Sequence, residues 1–313
     1  MMEQRYCPEG MRIGTQENTV YTASLQGLQR AMAQNRILEG IVRVCDGASM
    51  TLQLDLGECT GIIERAEAAY NHDGGETKDI AIITRVGKPV CFKILRIEEG
   101  KGRPVAYLSR RAAQEECMRE WVLYRRPGDI LPAKITHLEP FGAFVDIGCG
   151  IVSLLTVDCI SVSRIAHPSE RLTPGESIMA VVKSIDYESG RVYMTHRELL
   201  GTWEENASHF APAQTVSGIV RSIESYGIFV ELSPNLAGLA ELRDGVKVGD
   251  RCAVYIKSIL PERMKIKLVI VDTHAESYPA DMRYYVDTDS VRHMDYWRYS
   301  PEGCRKLVET RFE

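Results

Sequence analysis

The sequence predicts an all-β protein of tandem five-stranded barrels joined by short helical connectors. Three observations support this fold class. One block of sequence recurs at a constant spacing, strand-like alternation fills each copy, and helix-prone segments lie between the copies. Internal repetition of this kind indicates one structural unit per copy, and closing a small sheet into a barrel removes its exposed edges.

The repeat is clearest between residues 127–147 and 212–232, which align at a spacing of 85 residues without a gap. Both blocks contain two aromatic residues separated by a glycine and an apolar residue, at Phe141–Phe144 and Tyr226–Phe229. A weaker copy precedes them, in which Gly40–Arg43 resembles the start of a later strand but no aromatic pair follows. The sequence therefore predicts three barrels, of which two carry aromatic pairs.

Each copy contains about five short β-rich segments bounded by turn residues, such as Ala180–Ile185 and Arg191–Thr195 around Glu188–Gly190. The predicted division of the chain is an N-terminal helical extension (1–36), a degenerate first barrel (37–110), a helical linker (111–126), a second barrel (127–198), a linker (199–211), a third barrel (212–272) and a C-terminal extension (273–313).

Helices are predicted outside the barrels. Leu25–Asn35 reads as an amphipathic helix, and Arg110–Trp121 and Arg197–Asn206 read as connecting helices. Each connector carries a tryptophan near its end, which we expect to pack against a barrel. In the tail, Ser300 and Pro301 predict a helix start, with serine as the cap and proline in the first helical position.

Composition excludes several classes of protein. Apolar residues make up 44% and charged residues 26% of the 313 residues, which is typical of globular proteins. No apolar run approaches the ~20 residues of a membrane span, and the start lacks a signal-peptide pattern, so we expect a cytoplasmic protein. The nine cysteines form no CxxC pair, so we expect no disulfide framework, metal site or cofactor. A net charge of −5 leaves local cations and base stacking as the means of binding nucleic acid.

The aromatic pairs are the candidate binding residues. Alternation directs Val145 to the core and Phe144 and Asp146 outward. Phe141 would face the opposite side unless Gly142 formed a bulge, which glycine inside a strand often marks. With such a bulge, both rings would share one open face.

The third barrel repeats this pattern at Tyr226 and Phe229. Two rings side by side on a barrel face can stack unpaired bases, at about 1–3 kcal/mol per base. The alternative is that all four rings lie in the cores, as aromatic side chains usually do. Repetition of the motif, with separate core residues available in each copy, favours the exposed arrangement.

Basic residues recur around these strands. They are Lys134 and Arg221 on the preceding strands, Arg191 on the last strand of the second barrel, and Lys265 and Lys267 on that of the third. We expect them to meet phosphates along a groove, although solvated surface charge is the commoner role of a single cation.

Together these motifs resemble the S1 RNA-binding domain, an OB-fold family found in multi-copy bacterial ribosomal S1-like proteins. The resemblance is strong over 127–198 and 212–271 and weak over 38–109. It implies an RNA face of two aromatic residues, a histidine, an aspartate and a cation. In the second barrel these roles fall on Phe141, Phe144, Ser153 in place of the histidine, Asp186 and Arg191.

In the third barrel the aromatic residues are Tyr226 and Phe229, Glu241 takes the histidine position, and Lys265 or its neighbour takes the cation position. A carboxylate at that point would repel phosphate. The first barrel has no aromatic pair, so we expect it to be a structural or protein-contact module.

The resemblance implies a non-catalytic protein that binds single-stranded RNA, including mRNA, and acts in translation at the small ribosomal subunit. No catalytic motif is found in the sequence. We expect a monomer that has no membrane partner. Two alternatives remain open: a protein-interaction scaffold with degenerate barrels, and an accessory RNA-binding factor in RNA decay or transcription.

Overall fold

The computed structural model describes residues 5–72, 74–274 and 282–313, and these contain three closed five-stranded barrels. The first barrel consists of β1 (Leu38–Asp46), β2 (Thr51–Leu56), β3 (Cys59–Ile63), β4 (Pro89–Glu98) and β5 (Val105–Ser109). The second consists of β6 (Ile130–Glu139), β7 (Gly142–Asp146), β8 (Val152–Thr156), β9 (Ser177–Asp186) and β10 (Arg191–Thr195). The third consists of β11 (Thr215–Glu224), β12 (Gly227–Ser233), β13 (Leu236–Ala240), β14 (Arg251–Leu260) and β15 (Lys265–His274).

All three barrels share one topology. The strand order is first, second, third, fifth and fourth, and the fourth strand pairs again with the first. The third and fifth strands are parallel, whereas the other neighbours are antiparallel. Each barrel has its own buried core, in which alternate strand residues such as Leu54, Val145 and Val230 are sealed from solvent. The predicted fold class, tandem OB-fold barrels, is confirmed.

Short helices connect and flank the barrels. They are α1 (Gln16–Thr22), α2 (Leu25–Ala33), α3 (Asp79–Ile83), α4 (Arg110–Glu120) and α5 (Trp203–Ala207). Helix α1, which was not predicted, starts where the Thr15 side chain accepts a hydrogen bond from the Asn18 amide. Trp121 and Trp203 are buried against the second and third cores, as expected for the connectors. None of the helices in the described part of the chain has the length and apolar character needed to cross a membrane.

The N-terminal segment is held between the first and second barrels by buried charges. Glu9 donates its backbone N–H to Asp146 (2.7 Å), and its carboxylate accepts two hydrogen bonds from Arg110. Asp146 also accepts the amides of Gly148 and Gly150. Asp146 was predicted to point into solvent, but it is buried beneath this segment. Burial and the Glu9 charge raise the pKa of Asp146 to about 7.

A second buried ion-pair network joins the second and third barrels. Glu231 on β12 contacts both Arg171, from the loop between β8 and β9, and Arg221 on β11. Arg221 also contacts Glu170. The side chains of Arg171 and Glu231 are almost completely removed from solvent. The two barrels are therefore in direct contact and not separated by a free linker.

Residues 282–313 connect the same two barrels. Ile130 at the start of β6 donates its amide to the Arg292 carbonyl (2.9 Å), and Trp203 donates its amide to the Tyr299 carbonyl (3.0 Å). The segment contains a hairpin of β16 (Tyr296–Arg298) and β17 (Glu309–Arg311). The predicted helix start at Ser300 is wrong, because the Ser300 hydroxyl instead binds the Lys306 carbonyl and the Val308 amide within the hairpin connection.

His196 links this C-terminal segment to the second barrel. Its ring is buried between the Ile160 carbonyl (3.1 Å) and the Tyr284 hydroxyl (3.1 Å), and burial lowers its pKa from 6.5 to about 4. The unfolded chain therefore binds an extra proton between pH 6.5 and 4. Because of this proton uptake, the stability of the native protein falls as the pH drops through that window.

We expect this loss to reach about 3 kcal/mol at pH 4 and to be absent in a His196→Gln variant. The measurement is urea denaturation of both proteins from pH 7 to pH 4. The readout is the difference between the free energies of unfolding of the two proteins. Asp146 has the opposite effect on stability, because its pKa is raised in the folded state, but it affects the wild type and the variant equally and cancels in the difference. A constant difference would contradict the assignment of a neutral, buried imidazole.

Candidate nucleic-acid interface

The two aromatic pairs lie at the surface in matching geometry. Phe141 is 53% exposed and Tyr226 is 67% exposed, while Phe144 and Phe229 are half-buried. The ring centroids of Phe141 and Phe144 lie 6.0 Å apart at an interplanar angle of 87°, and those of Tyr226 and Phe229 lie 6.1 Å apart at 89°. The second and third barrels thus each present one edge-to-face pair of rings, which is a favourable aromatic arrangement. We call the barrel surfaces that carry these pairs the ring faces.

The backbone conformation that brings Phe141 and Phe144 together differs from the predicted one. Phe141 lies in the turn before β7, so it is not bound by strand alternation. The irregularity in the β6–β7 register falls on β6, between Ile135 and His137, and not at Gly142. The predicted bulge at Gly142 is therefore wrong.

Gly142 has another structural role. A side chain at Gly142 would place its Cβ 2.5 Å from the carbonyl oxygen of Leu155, and one at Gly227 would lie 2.6 Å from that of Ala240. Glycine allows the third strand of each barrel to approach the start of the second. That approach fixes the base of the turn from which the first ring of each pair projects.

Strand register extends the ring face of the second barrel into a row. His137 pairs with Phe144, Phe144 with Leu154, and Leu154 with Tyr193. The His137 and Phe144 rings are nearly parallel, with centroids 6.5 Å apart at 17°. Because Tyr193 lies between the buried residues Val192 and Met194, it faces outward. His137 and Tyr193 were missed by the sequence analysis, although the alternation around Tyr193 was a readable signal.

The equivalent rows of the other barrels differ in chemistry. In the third barrel the row contains Ser222, Phe229, Leu239 and Lys267. In the first barrel it contains Val44, Gln53, Ile62 and Tyr107. Tyr107 is covered by Arg96, whose guanidinium carbon lies 3.4 Å from the ring centroid. The described surface of the first barrel therefore offers no equivalent ring pair.

Two of the predicted cations are engaged elsewhere. The Lys134 ammonium donates to the Glu9 carbonyl oxygen (3.0 Å), under the N-terminal segment. Arg221 is held in the buried network with Glu231 and Glu170. Their expected place beside the rings is therefore corrected: each cation holds neighbouring parts of the chain together.

The remaining predicted cations, Arg191, Lys265 and Lys267, are exposed, and Arg191 and Lys265 each start the last strand of their barrel. Arg191 lies opposite Asp186 in the register of β9 and β10, whereas Lys265 lies opposite Leu260. Asp186 accepts hydrogen bonds from the Glu188 amide and from the Ser189 amide and hydroxyl. The hydrogen bond from the Ser189 hydroxyl, together with the amide bonds, lowers the pKa of Asp186. Asp186 thus closes the β9–β10 turn.

In the second barrel, the position that the resemblance assigns to a histidine is Thr156 and not Ser153. Ser153 pairs with the core residue Val145 and is buried, so it faces the barrel interior. Thr156 pairs with Gly142 and lies 85 residues before Glu241, which makes these two residues equivalent. Glu241 is exposed and accepts a hydrogen bond from Lys257 (2.8 Å).

Comparison with known proteins agrees with this architecture. A family model described as the S1 RNA binding domain matches residues 124–197. The small ribosomal subunit protein bS1 homolog of Bacillus subtilis is 27% identical over 220 residues, covering 68% of this chain and 56% of that protein. The bS1 protein of Staphylococcus aureus strain COL is 26% identical over 283 residues, covering 84% and 69% of the two chains. The chain spans about half the length of the first of these relatives.

Solved structures with similar elements include GSP13 from Bacillus subtilis, at 23% identity and a TM-score of 0.23, with 28% of this chain and 61% of that chain covered. A multidomain protein with nucleic acid binding domains from Streptococcus pneumoniae TIGR4 is 13% identical with a TM-score of 0.24, covering 76% and 74%. In sequence, residues 124–197 match the family model of the S1 RNA binding domain, and most of the chain is similar to bacterial small ribosomal subunit proteins bS1.

Proposed function

We propose that this protein binds single-stranded RNA through the ring faces of its second and third barrels, without catalysing a reaction. The observation that carries this proposal is the pair of exposed rings repeated with the same geometry, 6.0 Å and 6.1 Å between centroids, in two barrels of one chain. Exposed aromatic surface costs free energy in water, and unpaired bases are ligands that cover it by stacking.

The same geometry favours single strands over duplexes. Bases in a duplex are stacked on one another, so their flat faces are hidden from a protein surface. The overall charge of −5 gives the protein no general attraction for polyanions. Binding must therefore come from the ring faces and the few cations beside them.

We expect an unstructured uridine-rich RNA oligomer to bind at least tenfold more tightly than the same strand in a duplex, because stacking contributes about 1–3 kcal/mol per base. Fluorescence anisotropy at a fixed salt concentration measures both affinities. A Gln53→Ala variant, changed at the equivalent row position of the first barrel, serves as the matched control and should bind like the wild type. Equal affinity for single strand and duplex would contradict the proposal.

We further propose that the bound RNA is mRNA and that the protein acts in translation at the small ribosomal subunit. The similarity to proteins named bS1 supports this role. Sedimentation with purified small subunits at low salt tests it, and failure to co-sediment would argue for an RNA-binding role in another complex, such as one of RNA decay or transcription.

A protein-interaction scaffold is the second candidate function, and the first barrel favours it. Its equivalent row has no exposed ring pair, and Val44 in that row is 50% exposed. Ultraviolet crosslinking in cells separates the two candidates. Abundant RNA crosslinks to the second and third barrels support RNA binding, whereas protein crosslinks alone support the scaffold.

A further inference from the structure

We infer that the two ring faces divide the recognition of RNA, so that the second barrel holds bases and the third holds phosphates. This inference rests on the proposed single-strand binding and assigns a separate ligand chemistry to each barrel. The two barrels share one topology, but equivalent positions on their strands carry aromatic side chains in the second barrel and lysines in the third.

The ring face of the second barrel is mainly aromatic, and its His137 and Arg191 lie near carboxylates, whereas the exposed Lys183 contacts the Cys159 thiol. Along the row, His137 and Tyr193 extend the surface on either side of Phe144 and Leu154. His137 contacts Glu139 at 2.8 Å. Arg191 lies opposite Asp186 in the strand register. Among the described residues, this surface therefore offers a wide stacking area and fewer cations without an ion pair than the third barrel does.

On the ring face of the third barrel, a lysine occupies a position that an aromatic residue occupies in the second barrel. Lys267 lies beside Leu239 at the position where Tyr193 lies beside Leu154 in the second barrel. Lys265 and Lys267 are two residues apart on β15, so their side chains share one face, and both are exposed.

Within the described part of the chain, neither lysine is neutralised by a neighbour. Among the described residues, Lys265 and Lys267 have no carboxylate within ion-pair distance, and the residue opposite Lys265 is Leu260. The exposed carboxylate of Glu241 is already bound by Lys257 at 2.8 Å. Two exposed ammonium groups on the barrel face that carries Phe229 form a surface suited to the sugar–phosphate backbone of a strand whose bases are held by the second barrel.

These two chemistries respond differently to salt. A lysine that neutralises a phosphate of single-stranded RNA releases a counterion and contributes about 0.7 to the slope of log affinity against log salt concentration. Base stacking releases no counterion. The salt dependence of RNA binding should therefore come mainly from the third barrel.

The test compares a Lys265→Ser/Lys267→Ser variant with a His137→Ala/Tyr193→Ala variant, each in the full chain. Fluorescence anisotropy measures the affinity of each variant for a uridine-rich oligomer at salt concentrations from about 50 to about 300 mM. We expect the lysine variant to lower the magnitude of the slope by about 1.4. The ring variant should weaken binding about tenfold at every salt concentration and leave the slope unchanged.

A Lys101→Ser variant, changed at an exposed lysine between β4 and β5, is the matched charge control and should leave the slope unchanged. Thermal melting of each variant confirms that it is folded. Equal changes of slope in the lysine and ring variants, or no change in the lysine variant, would overturn the inference while leaving single-strand binding intact. If the wild type fails to bind the oligomer, the proposed function itself fails.

Discussion

The Phe141→Ala/Phe144→Ala variant is expected to bind an unstructured RNA oligomer about 100-fold more weakly than the wild type. Phe141 is 53% exposed and lies edge-to-face with Phe144, so both rings are available to a base at little cost in rearrangement. Each lost stacking contact removes about 1–3 kcal/mol of binding free energy. Anisotropy titration with a labelled uridine-rich oligomer measures the change.

The corresponding Tyr226→Ala/Phe229→Ala variant provides the comparison, and we expect a smaller loss because the exposed Lys265 and Lys267 remain on the barrel face that carries Phe229. Phe144 is half-buried, so its removal could also disturb the barrel. A single Phe141→Ala variant, changed in an exposed turn, separates the two effects. An unchanged affinity in both the single and double variants would remove the basis of the proposed function.

The Glu231→Ala variant is expected to lower the free energy of unfolding by about 3–5 kcal/mol. Glu231 is the shared partner of Arg171 and Arg221, and all three side chains are at least nine-tenths removed from solvent. Removing the carboxylate leaves the buried Arg171 guanidinium without its ion-pair partner and leaves Arg221 with Glu170 alone. Urea denaturation at neutral pH measures the loss.

An exposed ion pair of the same barrel gives the control. Glu241 and Lys257 are in contact at 2.8 Å, but both remain largely in solvent. A Glu241→Ala variant should therefore unfold at the same urea concentration as the wild type, within error. Equal destabilisation by the two substitutions would show that burial of the Glu231 network contributes nothing to stability.

Much of the architecture is readable from local sequence. The 85-residue repeat identifies equivalent strands, and alternation around Val145 and Val230 identifies the core side of the second strand in two barrels. The surface exposure of Phe141 and Tyr226 was predicted from the repeated aromatic motif, although the turn that places Phe141 at the surface was not. Strand alternation and the spacing within each motif depend on neighbours within a few residues, and the repeat shows both twice, which is why a single sequence is enough to predict them.

The errors have a different physical origin. Lys134 and Asp146 are both covered by the segment around Glu9, more than 120 residues away in the chain. Arg221 is bound by Glu170, from a loop of the preceding barrel. His137 joins the ring face because a register shift on β6 places it opposite Phe144. Each of these positions depends on a distant segment of the chain or on the register between strands, and the periodicity of the sequence reveals neither the distant contact nor the register.

The hydrogen bonds between residues 282–313 and the second and third barrels have a consequence for how RNA dissociates. They hold the second and third barrels together, so a strand released by one barrel stays at high effective concentration around it while the other still binds. Rebinding then competes with escape, and the lifetime of the complex exceeds that of either contact alone. Avidity of this kind needs no additional contact surface and no linker whose length must be tuned.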